Sequence, residues 1–186
     1  ADAVVITPGF ESGTAVGWDE VGAVDSAIRF SGRYAGRTQA DGAIMTGPLA
    51  LERGRFYEVC FWVRIDAPDS DAACGFPFVL ERHQGNPNDV WFQPDKYDWG
   101  VVDTRHYPNR WRRIRFQYRA PDNLVSARVR MEIKGTGTLW VDNMSVRALR
   151  FDTPTTLTGT PPGAPQGLAA DGGMGTVTRR HPTLSW

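Results

Sequence analysis

The first 150 residues consist of short runs in which apolar and polar side chains alternate, separated by clusters of Gly, Pro, Asn and Asp. Such alternation is typical of a half-buried β-strand, because successive side chains of a strand point to opposite faces. No run has the helical period of an amphipathic helix, so the pattern predicts an all-β fold. The predicted strands are residues 3–6, 26–31, 34–39, 43–50, 55–65, 76–83, 89–93, 111–119, 125–134 and 138–148.

The longer runs separate an apolar face from a polar one. In 57–65 the odd-numbered side chains are apolar or aromatic, whereas the even-numbered ones include Trp62 and Arg64. Arginines occupy odd positions in 111–119 and even positions in 125–134, again opposite an apolar set. An antiparallel sheet with one face on the core and one face open has this pattern. The sequence therefore predicts a β-sandwich of two antiparallel sheets.

The amino-acid composition of the chain changes at about residue 151. Residues 151–173 are rich in Thr, Pro and Gly, which is the composition of a semi-rigid linker. The chain ends in a further alternating run at 176–186, TVTRRHPTLSW. A strand at a chain terminus cannot close a core, so we expect a partial second β-module from about residue 162. We therefore predict one domain at 1–150, and a linker with the beginning of another module at 151–186.

Charge and composition narrow the classes of function. The 21 basic and 21 acidic residues give a formal net charge of zero, so the overall field favours neither nucleic acid nor an anionic membrane. No apolar run reaches the roughly 18 residues that a membrane helix needs. The cations are almost all arginine, which reflects either a GC-rich genome or bidentate recognition of carboxylate or sulfate.

The two cysteines, Cys60 and Cys74, leave two alternatives open. Their spacing fits no metal motif, so they form either a disulfide in an exported protein or two buried thiols. The many Trp and Gly residues and the scarcity of Lys favour an extracellular protein.

One carboxylate interrupts an apolar strand near the end of the first domain. In GTLWVDNMSV, residues 137–146, Asp142 and Asn143 follow Leu139, Trp140 and Val141. Burying an unpaired charge is costly, so Asp142 needs a partner. The N-terminal stretch TPGFESG, residues 7–13, offers Glu11 as a candidate.

Five segments resemble, in order, one known group of proteins. They are residues 7–18, 31–36, 51–64, 110–121 and 137–146, which read TPGFESGTAVGW, SGRYAG, LERGRFYEVCFWVR, RWRRIRFQYRAP and GTLWVDNMSV. Over about residues 5–148 the chain resembles the jelly-roll carbohydrate-binding modules that are appended to bacterial polysaccharide-degrading enzymes, the broad group containing families 4, 9, 16 and 22. The tail resembles the opening strands of a fibronectin type III or immunoglobulin-like module.

The resemblance implies a structural calcium ion where the first and last strands meet. The side-chain ligands would be Glu11 and Asp142, with backbone carbonyls from near Gly9 and Arg33. Calcium accepts carboxylate and carbonyl oxygens together. The alternative is that Asp142 caps a turn or pairs with an arginine, and that Glu11 is simply exposed.

The resemblance also implies a glycan site, either on an open sheet or in the loops along one edge. Exposed aromatic rings near charged groups suit sugars, which present flat C–H faces and hydroxyl groups. Trp18 and Trp111 are better explained as structural residues, and Trp140 fits either role. The candidate contacts on the sheet are Trp62, Arg64, Glu81, His83, Trp91, Arg113, Arg115, Arg128, Arg130 and Glu132, and those in the loops are Tyr97, Trp99 and Tyr107.

We therefore expect a non-catalytic module that binds a polysaccharide or oligosaccharide, with the arginines favouring an acidic one. Its partner would be a catalytic domain in the same parent chain, secreted or on a bacterial cell surface, with no nucleic acid or membrane partner. A structural spacer or protein-interaction module is the alternative. A glycosidase using Glu81 and Glu132, or a lyase using His83, is less favoured, because the catalytic strand motifs of those enzymes are absent.

Overall fold

A computed structural model describes residues 4–6, 9–67, 73–94, 102–103 and 109–150. The chain divides into two compact units, residues 1–151 and 152–186. The second unit lies outside the described residues, as do the predicted linker and second module, which remain predictions. Within the described ranges there are strands but no α-helix, and accordingly no helix that could span a membrane.

The described chain forms a succession of β-strands. They are β1 (Val4–Ile6), β2 (Trp18–Glu20), β3 (Ala23–Asp25), β4 (Ala35–Gln39), β5 (Ala43–Thr46), β6 (Phe56–Asp66), β7 (Cys74–His83), β8 (Asp89–Phe92), β9 (Val102–Asp103), β10 (Arg112–Arg119), β11 (Leu124–Lys134) and β12 (Thr138–Ala148).

The strands form two antiparallel sheets. Sheet 1 has the order β10-β6-β12-β4-β3, and β1 also pairs with β12. Sheet 2 has the order β2-β5-β11-β7-β8, and β9 also pairs with β7. Neighbours in each sheet are mostly distant in sequence, as expected for a sandwich with crossing connections. The predicted all-β jelly-roll sandwich is confirmed.

The core lies between the inner faces of the two sheets. Sheet 1 contributes the odd-numbered residues of β6, and sheet 2 contributes those of β11. The fully enclosed side chains from these two strands are Tyr57, Val59, Phe61, Val63, Ile65, Val129, Met131 and Ile133. The strand parity predicted from the alternation is correct for β6 and, from Ala127 onward, for β11. Val125, which the alternation placed on the inward face, is 58% exposed, and the pairing with β7 shifts register between Leu124 and Ser126.

One predicted strand is wrong. Residues 26–31 form a turn-rich loop between β3 and β4, because side-chain carboxylates take the backbone donors that a strand would need. The Asp25 carboxylate accepts the N–H groups of Ala27 and Ile28. The N–H groups of Phe30 and Ser31 donate to Asp142. Local side-chain acceptors of this kind compete with sheet pairing.

The cysteines belong to different sheets. Cys60 lies on β6 of sheet 1, and Cys74 begins β7 of sheet 2. Cys60 is a buried free thiol, so the disulfide alternative is not realised.

Stability depends on the enclosed aromatic side chains. Phe61→Ala should lower the free energy of unfolding by about 3–5 kcal/mol, because it removes a fully buried ring and leaves a cavity. Urea denaturation monitored by circular dichroism measures this. The control Val125→Ala changes a side chain that is 58% exposed on β11 and should change stability little. Similar losses for both variants would contradict the assignment of the core.

Candidate functional site

The predicted sheet contacts lie on opposite faces of the sandwich. Trp62, Arg64, Arg113 and Arg115 belong to the outer face of sheet 1, whereas Trp91, Arg128, Arg130 and Glu132 belong to that of sheet 2. The core separates the two sets, so they cannot form one site. The predicted loop contacts Tyr97, Trp99 and Tyr107 lie outside the described residues.

Two predicted contacts, Glu81 and His83, do not lie on the open face of either sheet. Glu81 is only 4% exposed and pairs in register with Ala127, a buried core residue of β11. Its carboxylate contacts the His83 ring. Burial raises the pKa of Tyr118 well above its usual value, and the Glu81 carboxylate across the core raises it further. This inward orientation corrects the predicted placement of both residues.

Because Glu81 faces inward, the alternate residues of β7 face outward on sheet 2. Phe76 and Phe78 stack with ring centroids 6.4 Å apart. Phe78 meets Trp91 of β8 edge to face at 5.2 Å. Trp91 is 51% exposed, the largest exposed aromatic surface in the described chain. Sheet 2 thus carries an aromatic platform open to solvent.

Charged side chains border this platform. The Arg130 guanidinium lies 5.9 Å from the centre of the Trp91 ring and forms an ion pair with Glu20 of β2. One row away, Arg128 Nε donates to Asp19 Oδ2 at 2.6 Å. Glu132 forms an ion pair with Lys134. We call the surface formed by Phe76, Phe78, Trp91, Arg128, Arg130 and Glu132 the sheet 2 face.

One polar group on the sheet 2 face lacks a partner. The buried Nε of Arg130 has no hydrogen-bond acceptor, although a Glu132 carboxylate oxygen lies 3.5 Å away. A buried donor without an acceptor costs free energy. The arrangement offers a stacking surface on Trp91 with the paired charges of Arg128 and Arg130 beside it.

On sheet 1, Arg64 and Trp140 are engaged with neighbouring side chains. Arg64 forms a bidentate pair with Asp66, with both N–O distances at 2.7 Å. The Trp140 ring is 5% exposed and lies between the guanidinium groups of Arg37 and Arg64. Its Nε1 donates to Asp25 at 2.9 Å. These contacts make Trp140 a structural residue of this face.

The structure brings Glu11 and Asp142 together on the loop that carries residues 30–33. Asp142 accepts the N–H groups of Phe30, Ser31 and Asn143. Glu11 accepts the N–H group of Arg33 at 2.8 Å. Gly32 lies between these contacts with φ +61, and a Cβ atom there would collide with the Glu11 carboxylate. The turn therefore depends on glycine.

The electrostatics of this pair favour a cation. Burial raises the pKa of Asp142 above its usual value, the three N–H donors oppose that rise, and the charge of Glu11 adds to it. Within the described residues neither carboxylate forms an ion pair with a Lys or Arg side chain. The Ser31 hydroxyl and the Asn143 side-chain oxygen lie 3.0 Å apart beside them. Oxygen donors around uncompensated carboxylates fit a hard divalent cation.

Sequence reasoning missed Phe76, Phe78, Asp19 and Glu20 as parts of the sheet 2 face. Their alternation alone does not reveal them, because β7 carries apolar side chains on both faces. The available signal was the neighbouring strand β11, whose clear parity dictates which face of β7 turns inward.

No family model matches the chain, and no curated protein matches it. Among solved structures, the xylan-binding domain CBM22-1 of Xyn10C from Paenibacillus barcinonensis is similar, with a TM-score of 0.65 and 18% identity. The match covers 82% of this chain and 98% of that domain.

Two further structures share the fold. The CBM22-1 and GH10 modules of Clostridium thermocellum xylanase Xyn10B, solved with xylohexaose, give a TM-score of 0.61 at 15% identity, covering 82% of this chain and 30% of that one. A family 16 carbohydrate-binding module gives 0.56 at 12% identity, covering 77% and 99%. The described domain thus has the fold of carbohydrate-binding modules.

The contacts of Asp142 generate a stability prediction. Asp142→Ala should lower the free energy of unfolding by about 2–4 kcal/mol, because it leaves three backbone N–H groups without their acceptor. Urea denaturation in the presence of chelator measures the loss. Asp122→Ala is the control, since Asp122 is exposed and pairs only with Arg119. Equal stability of the Asp142 variant and the unmodified chain would contradict this role.

Proposed function

We propose that the first domain is a non-catalytic module that binds a polysaccharide chain through the sheet 2 face. The module would belong to an exported parent chain and would bring the catalytic domain of that chain to the polysaccharide. The observation that carries the proposal is the half-exposed Trp91, held edge to face against Phe78 with the guanidinium group of Arg130 beside it. The shared fold supports it, and in one similar structure such a module adjoins a catalytic GH10 module.

The geometry suits a sugar ring on the Trp91 indole. The ring would present its C–H face to the indole, while its hydroxyl groups meet the flanking charges, which supply both donors and acceptors. The face is an outer sheet surface, so it would accept an internal stretch of a chain as well as an end. We expect modest affinity, because these few contacts must offset the ordering of a flexible glycan.

The charges of this face favour a neutral glycan over the acidic one suggested by the arginine content. Both arginines of the sheet 2 face have carboxylate partners, Arg128 with Asp19 and Arg130 with Glu20. Two neighbouring cations of the described residues are also paired, Arg82 with Asp89 and Lys134 with Glu132. A sugar carboxylate would have to compete with these partners and would approach their negative charges. Neutral hydroxyl groups can instead bond to the pairs as they stand.

Binding should depend on Trp91. Trp91→Ala should weaken the binding of xylohexaose by at least about tenfold, the equivalent of about 1.4 kcal/mol, because it removes the stacking surface. Isothermal titration calorimetry on the full chain measures this, with cellohexaose run in parallel. The melting temperature should change little, because half of this ring is exposed.

Trp91→Phe is the matched control and should keep part of the affinity, since it keeps an aromatic face. Unchanged affinity in Trp91→Ala would contradict the proposed site. If the folded chain bound neither oligosaccharide, the observation would favour the alternative of a structural spacer or protein-interaction module.

We also propose that Glu11 and Asp142 hold a structural calcium ion, with the carbonyl groups near Gly9 and Arg33 as further ligands. The support is the buried carboxylate of Asp142, which accepts three backbone N–H groups but pairs with no Lys or Arg of the described residues, beside the carboxylate of Glu11. The ion would neutralise both charges and tie the N-terminal segment to β12. Its role would be stability, since the site lies on sheet 1 and not on the sheet 2 face.

Calcium at millimolar concentration should therefore raise the melting temperature of the unmodified chain, because a ligand that binds only the folded state stabilises it by mass action. Differential scanning calorimetry with calcium and with chelator measures the shift. Glu11→Gln should abolish most of this increase while leaving the fold intact in chelator. Equal melting temperatures of the unmodified chain under both conditions would exclude the site.

A further inference from the structure

The outer face of sheet 1 carries a second aromatic surface, remote from Trp91. The Phe30 ring stacks on Trp62 with centroids 3.8 Å apart and planes at 14°. Trp111 meets Phe30 edge to face at 5.9 Å. Phe30 is 38% exposed, so this three-ring cluster presents an open aromatic surface to solvent.

The backbone of Phe30 is fixed in place. Its N–H group donates to Asp142 Oδ2 at 2.9 Å, and the next N–H group, from Ser31, donates to the same oxygen at 3.0 Å. Asp142 is itself buried and sits directly opposite Trp62 in the pairing of β12 with β6. The exposed ring is therefore positioned before any ligand arrives, which lowers the entropic cost of binding.

An arginine, Arg113, stands next to this cluster. Arg113 of β10 is the cross-strand partner of Trp62 on the other side, so their side chains are neighbours on one face. Its Nε donates to the Cys60 thiol at 3.1 Å. Arg113 forms no ion pair with a carboxylate of the described residues, in contrast to Arg64 and Arg115 on the same face.

We propose that Phe30, Trp62 and Arg113 form a second binding site, for a sugar unit that bears a carboxylate. The aromatic surface would stack against the sugar ring, and the terminal nitrogens of Arg113 would form paired hydrogen bonds to the carboxylate. The contact of Nε with the Cys60 sulfur fixes the guanidinium group, and the carboxylate of Glu58, which also acts on Arg113, is paired with Arg115. This chemistry differs from that of the sheet 2 face, where Arg128 and Arg130 already have carboxylate partners.

The two sites are independent, because the core of the sandwich lies between them. A glycan with both neutral and carboxylated units could therefore bind two copies of the module at once. One copy of the module could likewise bind two segments of glycan, one on each face. The second site does not require that the sheet 2 face bind anything, so the two proposals can fail separately.

The test uses tetragalacturonate and its methyl ester, which differ only in the charge of the carboxyl groups. Titration of the ¹⁵N-labelled full chain should shift the indole N–H signals of Trp62 and Trp111 with tetragalacturonate, and much less with the ester. Arg113→Gln should weaken binding at least about tenfold, since hydrogen bonds to charged groups are among the strongest. Phe30→Ala should also weaken it, with the melting temperature recorded to confirm folding.

Arg119→Gln is the matched control, because Arg119 lies on the same strand with the same orientation but pairs with Asp122. It should bind as the unmodified chain does, and Trp91→Ala should leave this site intact. The proposal is overturned if the ester binds equally well, if only the Trp91 signal shifts, or if neither probe shifts the Trp62 signal. Equal losses in the Arg113 and Arg119 variants would also overturn it, since binding would then reflect general charge.

Discussion

The register between β7 and β11 is the constraint on which the sheet 2 face depends. Val79 opposes Val129 and Glu81 opposes Ala127, all with inward side chains. Because side chains alternate, a slip of one residue would bury Phe76 and Phe78 and bring Glu81 to the surface. The enclosed apolar side chains of β11 fix this register, because exposing them to water would cost free energy. The aromatic platform under Trp91 therefore follows from packing on the opposite side of the sheet.

A buried carboxylate organises the corresponding region of sheet 1. Asp142 interrupts the regular pairing of β12 with β6 and collects three backbone N–H donors. The loop that follows β3 is thereby held against the sheet, and Phe30 is stacked on Trp62. The same carboxylate lies beside Glu11. Stability, cation affinity and the placement of an exposed aromatic ring are thus linked through one side chain.

The two outer faces differ in chemistry although both combine aromatic rings with arginine. On sheet 2 the guanidinium groups are paired, so the face as a whole offers hydrogen bonds without net charge. On sheet 1 Arg113 is anchored by the Cys60 sulfur and forms no ion pair with a carboxylate of the described residues. Arginine content alone could not separate these cases, because the partners of Arg113, Arg128 and Arg130 lie on strands distant in sequence. We therefore propose that the sheet 2 face binds a neutral glycan chain and that the outer face of sheet 1 binds an anionic sugar unit.

The sequence by itself determined the all-β sandwich, most strand positions and the inward sets of β6 and β11, because alternation and burial are local signals. It also singled out Asp142, since a carboxylate in an apolar strand requires compensation, and the resemblance set Glu11 beside it. Tertiary structure decided the rest. The loop at 26–31 depends on acceptors from Asp25 and from Asp142, more than a hundred residues away. The separation of Trp62 from Trp91, and the burial of Glu81, depend on which strands share a sheet, and alternation within one strand carries no information about its neighbours.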